Sequence, residues 1–232
     1  MKRKSVKEII SICSVLFLFT ACDKASHTGG EVESTKGKSS LPYLGEDDIE
    51  LRHNADGTTT ADTVHYTIPK FSFTNQFGKT VSHHDYDGKI FVVEFFFTEC
   101  PGICPIMSAQ MSRLQELVKK ENLGHQISFL SLSVKPGNDT PEVLKAYGDK
   151  IGADYSNWNF VTGKADDIYD LAESGFMLSA FPSETAEGGI FHTDKLSLID
   201  TGMHIRGYYD GTSTKSVDQL FADLKVLASE KK

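Results

Sequence analysis

Two cysteines with three residues between them, Cys100 and Cys104, are the side chains of this sequence best suited to chemistry. Their thiols can close to a disulfide, and as thiolates they are soft ligands of the kind that Cu(I) prefers. Thiol-disulfide oxidoreductases usually have two residues between the paired cysteines. The additional residue in this chain lets both sulfur atoms turn toward one point, which favours a metal site. A redox pair and a structural disulfide are the alternatives.

The other two cysteines, Cys13 and Cys22, belong to an N-terminal segment typical of an exported protein. Four basic residues precede an apolar stretch at 9–19, which is too short for a membrane span of roughly 20 residues. The stretch ends in FTAC, which resembles a bacterial lipobox. We therefore predict a lipoprotein-type signal peptide at 1–22 and lipidation of Cys22, with ordinary secretory cleavage or an uncleaved anchor as alternatives. In all three cases the domain lies outside the cytoplasm, on the periplasmic side.

Cleavage before Cys22 leaves Cys100 and Cys104 as the free thiols of the mature domain. A disulfide between them is compatible with an extracytoplasmic location. The chain has a formal charge of −8 at pH 7, and loss of the basic signal segment makes the remainder more acidic still. An acidic surface argues against nucleic acid as a partner and against membrane binding through a basic patch. We expect a monomer that is held at the membrane by its lipid.

The residues around the cysteine pair predict a strand and a helix that position it. The apolar run at 92–97 indicates a strand that is buried on both faces. From Pro105 onward the apolar residues follow helical spacing, and proline suits the first helical turn, so we expect Cys104 at the N-cap. A helix N-terminus would lower the pKa of a thiol placed there. Met107 and Met111 fall on the apolar face of this helix, and we interpret them as core residues rather than copper ligands.

The segment before the domain has a different composition. Residues 23–60 are rich in Ser, Gly, Lys and Glu, which predicts a flexible tether, and the domain itself is expected at 61–232. Alternating residues between 63 and 81 indicate an N-terminal β extension with a hairpin turn at 75–78.

The rest of the chain alternates between strands and helices. A strand at 127–134, a helix opened by Thr140 and a strand at 157–161 favour crossover connections and a largely parallel sheet. A long irregular insertion follows at 175–195, and a hairpin and a closing helix complete the domain. We interpret Arg206 in this hairpin as a surface or packing residue. The order of elements predicts an α/β protein of thioredoxin-like fold, with a central mixed sheet flanked by helices.

Three stretches carry a resemblance to a known family: FFFTECPGICPIM, SVKPGNDTPEVLKAY and FHTDKLSLIDTGMHIRGYYDGT. Together they resemble the Sco/SenC family of thioredoxin-fold copper chaperones, from about Val64 to the C-terminus. The resemblance implies that Cys100, Cys104 and His192 hold one copper ion, as Cu(I) or Cu(II). It also implies a role in assembling the dinuclear copper centre of cytochrome c oxidase, with the copper-containing subunit of a respiratory oxidase as partner.

The loop after the second central strand departs from the family's pattern. Relatives often have Asp before the proline, whereas this chain has Lys135 before Pro136. The change leaves the copper ligands untouched but adds a positive charge at the end of the sheet that carries the cysteines. We expect it to alter partner docking or the electrostatics of the site. Asp139, in the same loop, is expected either to open the following helix or to face the site.

Two other functions use the same residues. An extracytoplasmic thiol-disulfide reductase would use Cys100 and Cys104 as a redox pair that reduces the cysteines of an apo copper site, with copper incidental. A thiol peroxidase of this fold has a threonine three residues before its reactive cysteine, whereas Thr98 lies two residues before Cys100. The reductase is therefore the stronger alternative to a copper chaperone.

Overall fold

A computed structural model of the chain describes residues 40–230. The predictions for residues 1–39, which include the signal peptide, the lipidation of Cys22 and much of the tether, lie outside the described residues. Between residues 40 and 230, none of the helices combines the length and the apolar character that a membrane span requires.

The described residues form strands and helices in alternation. The strands are β1 (Asp48–His53), β2 (Thr59–Val64), β3 (Ser72–Asn75), β4 (Thr80–Ser82), β5 (Ile90–Phe96), β6 (Ile127–Ser133), β7 (Trp158–Thr162), β8 (Ala180–Pro182), β9 (Ile190–His192), β10 (Lys195–Ile199) and β11 (Ile205–Asp210). The α-helices are α1 (Cys104–Lys120), α2 (Pro141–Ile151), α3 (Ala165–Asp170) and α4 (Thr214–Ser229). A π-helical turn, Leu171–Gly175, continues α3, and short 3₁₀ turns lie at His83–Tyr86 and Glu187–Gly189.

Seven strands form one mixed sheet in the order β11-β10-β5-β6-β7-β3-β4. The pairs β5-β6 and β6-β7 are parallel, and the flanking pairs are antiparallel. Every residue of β5 and β6 is buried, which explains the nearly continuous apolar sequence of β5 and the absence of any large polar side chain from β6. The predicted mixed sheet flanked by helices is confirmed. The expectation of a largely parallel sheet is wrong, because two antiparallel hairpins extend the three parallel strands on either side.

Ordered structure begins earlier than the predicted domain boundary at residue 61. β1 and β2 pair as an antiparallel hairpin with its own two-stranded sheet. Leu41 is buried, and the N–H of Leu44 donates to the carbonyl of Ile205 in β11 at 2.9 Å. The flexible tether predicted at 23–60 is therefore wrong from Ser40 onward. Nearly all side chains of β1 and β2 are exposed, and the alternation of Ile49 and Leu51 with polar residues in β1 is too short to stand out in a polar segment.

A buried arginine of β11, Arg206, fastens this N-terminal segment to the strand and also forms an ion pair. The guanidinium of Arg206 donates to a carboxylate oxygen of Asp200 at 2.8 Å and to the carbonyls of Leu41 and Pro42 at 2.6 and 3.0 Å. Its side chain is only 2% exposed. Arg206 is therefore a packing residue and not a surface one, and its charge is tolerated in the interior because each bond compensates for lost water.

We expect Arg206→Met to lower the free energy of unfolding by about 3–5 kcal/mol, since it leaves the Asp200 carboxylate buried without its charged partner. Urea denaturation followed by circular dichroism measures the change. Arg113→Met is the matched control, because Arg113 pairs with Asp218 at the surface, where such pairs contribute about 1 kcal/mol or less. A loss for Arg206→Met no larger than that of the control would contradict the assignment.

Candidate metal centre

The loop that follows the central strand β5 is held by one buried carboxylate, that of Asp139. Directly after the strand, Thr98 donates from its backbone N–H and from its hydroxyl to Asp139, at 3.2 and 2.5 Å. Ser133, at the end of β6, donates to the same carboxylate at 2.5 Å. Asp139 is fully buried. It therefore links the start of the cysteine loop to the neighbouring strand. It is not the cap of α2, which is Thr140.

Helix α1 begins one residue earlier than predicted. Ile103 is the N-cap and already has helical backbone angles, and its carbonyl accepts bonds from the N–H groups of Ile106 and Met107. Cys104 is therefore the first helical residue, with Pro105 after it, and the predicted N-cap position is wrong by one residue. The side chain of Cys104 points into the protein with 1% exposure, whereas Cys100 in the loop is 9% exposed.

His192 reaches the cysteines from a separate hairpin. The insertion predicted as irregular at 175–195 contains β8 and β9, in which Ala180 pairs with His192. The turn of this hairpin rests on the ring of Phe97: Gly188 has φ +74°, and a Cβ there would lie 2.6 Å from that ring. Only glycine accepts both the angle and the contact. The hairpin is therefore seated directly against the residue that follows β5.

The three side chains named by the family resemblance converge. Nε2 of His192 lies 3.3 Å from Sγ of Cys104 and 3.9 Å from Sγ of Cys100, and all three ligand atoms lie within 4.8 Å of one another. Metal–thiolate bonds of roughly 2.3 Å, as for zinc, would place three trigonal ligands about 4 Å apart. The donor set and its spacing therefore fit one soft metal ion such as copper.

The second ring nitrogen of His192 fixes the orientation of the imidazole. Nδ1 lies 3.1 Å from the carbonyl oxygen of Thr193, so Nδ1 carries the proton and donates it there. This tautomer leaves the lone pair of Nε2 facing the two sulfur atoms. Burial lowers the pKa of His192, which keeps the ring neutral and ready to bind a metal.

The pKa of the Cys104 thiol is shifted in the direction opposite to the one predicted from the sequence. Burial raises its pKa, the hydrogen bond with Cys100 raises it further, and the charge of Glu94 adds to the shift. The prediction that the helix N-terminus would lower the thiol pKa is therefore wrong for Cys104, because desolvation outweighs the helix. Without metal the thiol is protonated at neutral pH, so metal binding must release its proton.

Glu94 is a buried acid that the sequence analysis overlooked. It lies in the middle of β5 with no exposure, and one of its oxygens accepts from the hydroxyl of Ser131 at 2.6 Å. Ser131 in turn accepts from the indole N–H of Trp158 at 2.8 Å. The second carboxylate oxygen has no hydrogen-bond partner among the described residues. Burial raises the pKa of Glu94 to about 7. An acid inside the run VVEFFF was the available signal, since a strand buried on both faces rarely holds one.

Lys135 lies beside the cysteine loop, as its place in the sequence indicated. Its ammonium is 3.8 Å from a carboxylate oxygen of Glu99, the residue before Cys100, and 5.5 Å from the centre of the Phe97 ring. The positive charge is therefore held over the loop by an ion pair and a cation–π contact. Met107 and Met111 are fully buried in the core, as expected of packing residues.

The family model described as SCO1/SenC matches residues 59–229 of this chain. Among characterised relatives, the chain is similar to the SCO1 protein homolog of Bacillus subtilis (strain 168), with 31% identity over 170 residues, which cover 73% of this chain and 86% of the relative.

Two solved structures have the same fold. The SCO1/SenC family lipoprotein from Bacillus anthracis str. Ames has a TM-score of 0.66 and 36% identity, over 71% of this chain and 96% of that one. BsSco, described as a member of the Sco family of cytochrome c oxidase assembly proteins with a disulfide switch, has a TM-score of 0.64 and 31% identity, over 72% and 95% of the two chains.

We expect Asp139→Asn to loosen the cysteine loop, because one of the three donors that face the carboxylate would then meet an amide N–H₂ group. The expected loss in free energy of unfolding is about 1–3 kcal/mol, with a weaker affinity for Cu(I). Urea denaturation and competition with a Cu(I) chelator measure the two effects. Thr98→Ser keeps the hydroxyl that binds Asp139 and should change neither. An Asp139→Asn protein as stable as the wild type would contradict the anchoring role.

Glu94 should give the protein a characteristic dependence on pH. Its pKa is about 7 in the folded protein and near 4.5 when exposed, so the folded state binds the proton more tightly. Stability should therefore fall as pH rises from about 4.5 through 7, by roughly 3 kcal/mol in total. In Glu94→Gln, which retains an oxygen for Ser131, this fall should disappear in urea denaturation series at pH 5 to 8. The exposed Glu116→Gln is the control, and equal slopes in Glu94→Gln and wild type would refute the prediction.

Proposed function

Because the chain belongs to the SCO1/SenC family, we propose that it binds one copper ion through Cys100, Cys104 and His192 and carries it to a respiratory oxidase. The observation that carries this proposal is the convergence of two sulfur atoms and one imidazole nitrogen from separate segments of the chain. The client is the copper-containing subunit of cytochrome c oxidase, at whose dinuclear centre the copper is inserted.

The chemistry of the donor set supports copper as cargo. Two thiolates and one neutral imidazole suit trigonal Cu(I), and they accept Cu(II) when a further ligand is added. Binding releases the thiol protons to solvent, and the imidazole is already neutral. Phe97 contacts the ring of His192 edge-on at 5.7 Å between centres, so an apolar wall shields the ligands from water on that side. Three ligands hold the ion while leaving a coordination position for the client's own ligand.

The same sulfur atoms support a second candidate, a thiol-disulfide reductase. Both thiols are free, and their Sγ atoms lie within 4.8 Å of one another, so a short movement joins them. Cys100 is the more exposed of the two and would attack a client disulfide. Cys104 would then release the client as a dithiol and close the Cys100–Cys104 disulfide, so that two electrons and two protons pass to the client. Copper and the disulfide compete for the same sulfurs, which links the two activities.

The location we propose is the outer side of the cytoplasmic membrane. Residues 1–22 would direct export, and lipidated Cys22 would anchor the chain, with the residues after it as a tether. The similarity to a family lipoprotein from Bacillus anthracis supports this arrangement. The acidic charge of the chain fits a protein partner rather than nucleic acid. We propose a monomer with the copper site open toward the client.

Anaerobic Cu(I) titration against a competing chelator tests the copper function. The wild type should bind one Cu(I), and Cys100→Ser, Cys104→Ser and His192→Ala should each lower the affinity by at least about tenfold, by analogy with other altered metal sites. His84→Ala is the control, because its ring is 71% exposed and contacts Asp87 and His83. Equal binding in His192→Ala and wild type would refute the three-ligand site.

Mixing the loaded protein with candidate apo-subunits, with free thiols counted before and after, separates the two candidates. A copper chaperone should transfer Cu(I) and keep both of its own thiols free when they are counted on this chain after the two proteins are separated. A reductase should consume the two thiols of the pair, and its activity on a disulfide substrate such as insulin should vanish in Cys100→Ser and persist in His192→Ala.

A further inference from the structure

An open cavity of about 500 Å³ borders His192, one of the three ligands. Ile103 of the cysteine loop, His192 and Phe191 form part of its wall, and Met177 forms another part. The cavity thus brings one of the metal ligands, His192, and the methionine Met177 to the same open space. None of the activities described so far uses this methionine.

The backbone at Met177 is unusual for its residue type. The residue has φ +53° and follows the π-helical turn Leu171–Gly175, and the N–H of Leu178 donates to the carbonyl of Ala172 across it at 2.9 Å. A helix end of this kind requires a left-handed residue, and glycine or asparagine is the common choice. Another side chain costs roughly 1–2 kcal/mol there. The helix end therefore explains the angle but not the choice of methionine.

Packing does not compensate for this cost at Met177, because its side chain is 44% exposed. Met203 provides the comparison, since it also has a positive φ, of +66°. Its N–H donates to Asp200, its carbonyl accepts from Ile68, and its partly buried side chain packs against the core. Met203 is thus explained by the turn that it builds. Met177 is left with a partly exposed side chain in a strained position on the wall of the cavity, and such strain often marks a functional site.

The surface beyond Met177 continues the apolar character of the cavity. Phe181 and Phe191 stack on each other with ring centres 5.1 Å apart, and both are more than two-fifths exposed. They belong to β8 and β9, the strands of the hairpin that carries His192. An exposed thioether beside an apolar rim suits a soft, weakly hydrated ion such as Cu(I), because thioethers bind it without losing a proton.

We propose that Met177 is an entry ligand, which takes Cu(I) from an incoming donor and passes it to His192 and the two cysteines. This inference rests on the proposed copper function. A bond from Sδ of Met177 to Cu(I) forms as one ligand of the donor leaves. Bonds to Nε2 and to both sulfurs then replace the donor's remaining ligands, the Met177 bond breaks, and the two thiol protons pass to solvent. Copper remains Cu(I) throughout, so that no oxidant or reductant is needed, and release to an acceptor follows the same steps in reverse.

Stopped-flow transfer of Cu(I) between the full-length protein and a chromophoric chelator, bicinchoninate, tests the proposal under anaerobic conditions. Met177→Leu should slow loading and release by at least fivefold and by the same factor, because a transient ligand lowers the barrier in both directions. Met203→Leu is the matched control, with the same substitution in the same backbone region, and should transfer at the wild-type rate. Equal rates in Met177→Leu and wild type would overturn the proposal, as would equal slowing in Met203→Leu.

A second measurement observes the thioether directly. In Cys100→Ser/Cys104→Ser protein with ¹³C-labelled methionine methyl groups, Ag(I), a redox-silent analogue of Cu(I), should shift the Met177 methyl resonance and leave that of Met203 in place. Shifts of both or of neither would overturn the proposal. Two outcomes distinguish the copper function from the role of Met177 as entry ligand. A wild type without 1:1 Cu(I) binding refutes the copper function and the entry ligand with it, whereas 1:1 binding with unchanged Met177→Leu kinetics refutes the entry ligand alone.

Discussion

The carboxylate of Asp139 is the anchor on which the geometry of the cysteine loop depends. It accepts hydrogen bonds from Thr98 on one strand end and from Ser133 on the next, so the loop leaves the sheet in one direction. A loop between a strand and a helix would otherwise lack a fixed exit, because its backbone groups have few partners of their own. With this exit fixed, α1 can start at Cys104 and place its sulfur within 3.3 Å of a nitrogen supplied by a distant hairpin.

Burial around this loop disfavours negative charge on Cys104 and on Glu94, and a bound metal ion would offset that charge. Cys104 and Glu94 lie on the same buried side of the site, and the charge of each disfavours the charge of the other. In the absence of metal the thiol keeps its proton, and the interior stays nearly neutral. A bound copper ion would supply positive charge that offsets both thiolates, because a metal often carries the largest local charge in its site. The attraction between the metal and the thiolates is therefore stronger in this interior than in water, and it must also offset the cost of releasing the thiol proton.

How much the sequence reveals depends on which residues carry the pattern. The strand β5, the cap at Thr140 and the terminal hairpin were predictable because apolar spacing, an N-cap side chain and turn residues are local signals. The partnership of His192 with the cysteines was not local, and it was available only through the family resemblance. The buried acid Glu94 was overlooked because the apolar run around it predicts a strand and gives no separate role to the acid. The role of Arg206 was hidden because the carbonyls of Leu41 and Pro42, to which it donates, lie more than 160 residues away in the chain.

The hydrogen bond that orients His192 lies within its own hairpin, between Nδ1 and the adjacent Thr193 carbonyl. The two thiols, in contrast, belong to the loop and helix fixed by the central sheet. The site is therefore made of two halves that meet at the ring of His192, whose Nε2 faces the two sulfur atoms and whose edge contacts Phe97. If the hairpin lifted away from Phe97 to let a client approach, the imidazole would keep its tautomer and its aim, and the site would re-form on contact without rearranging a proton. Gly188, at the contact between the hairpin and Phe97, keeps the free-energy cost of such a separation low, because it has no side chain that must be withdrawn.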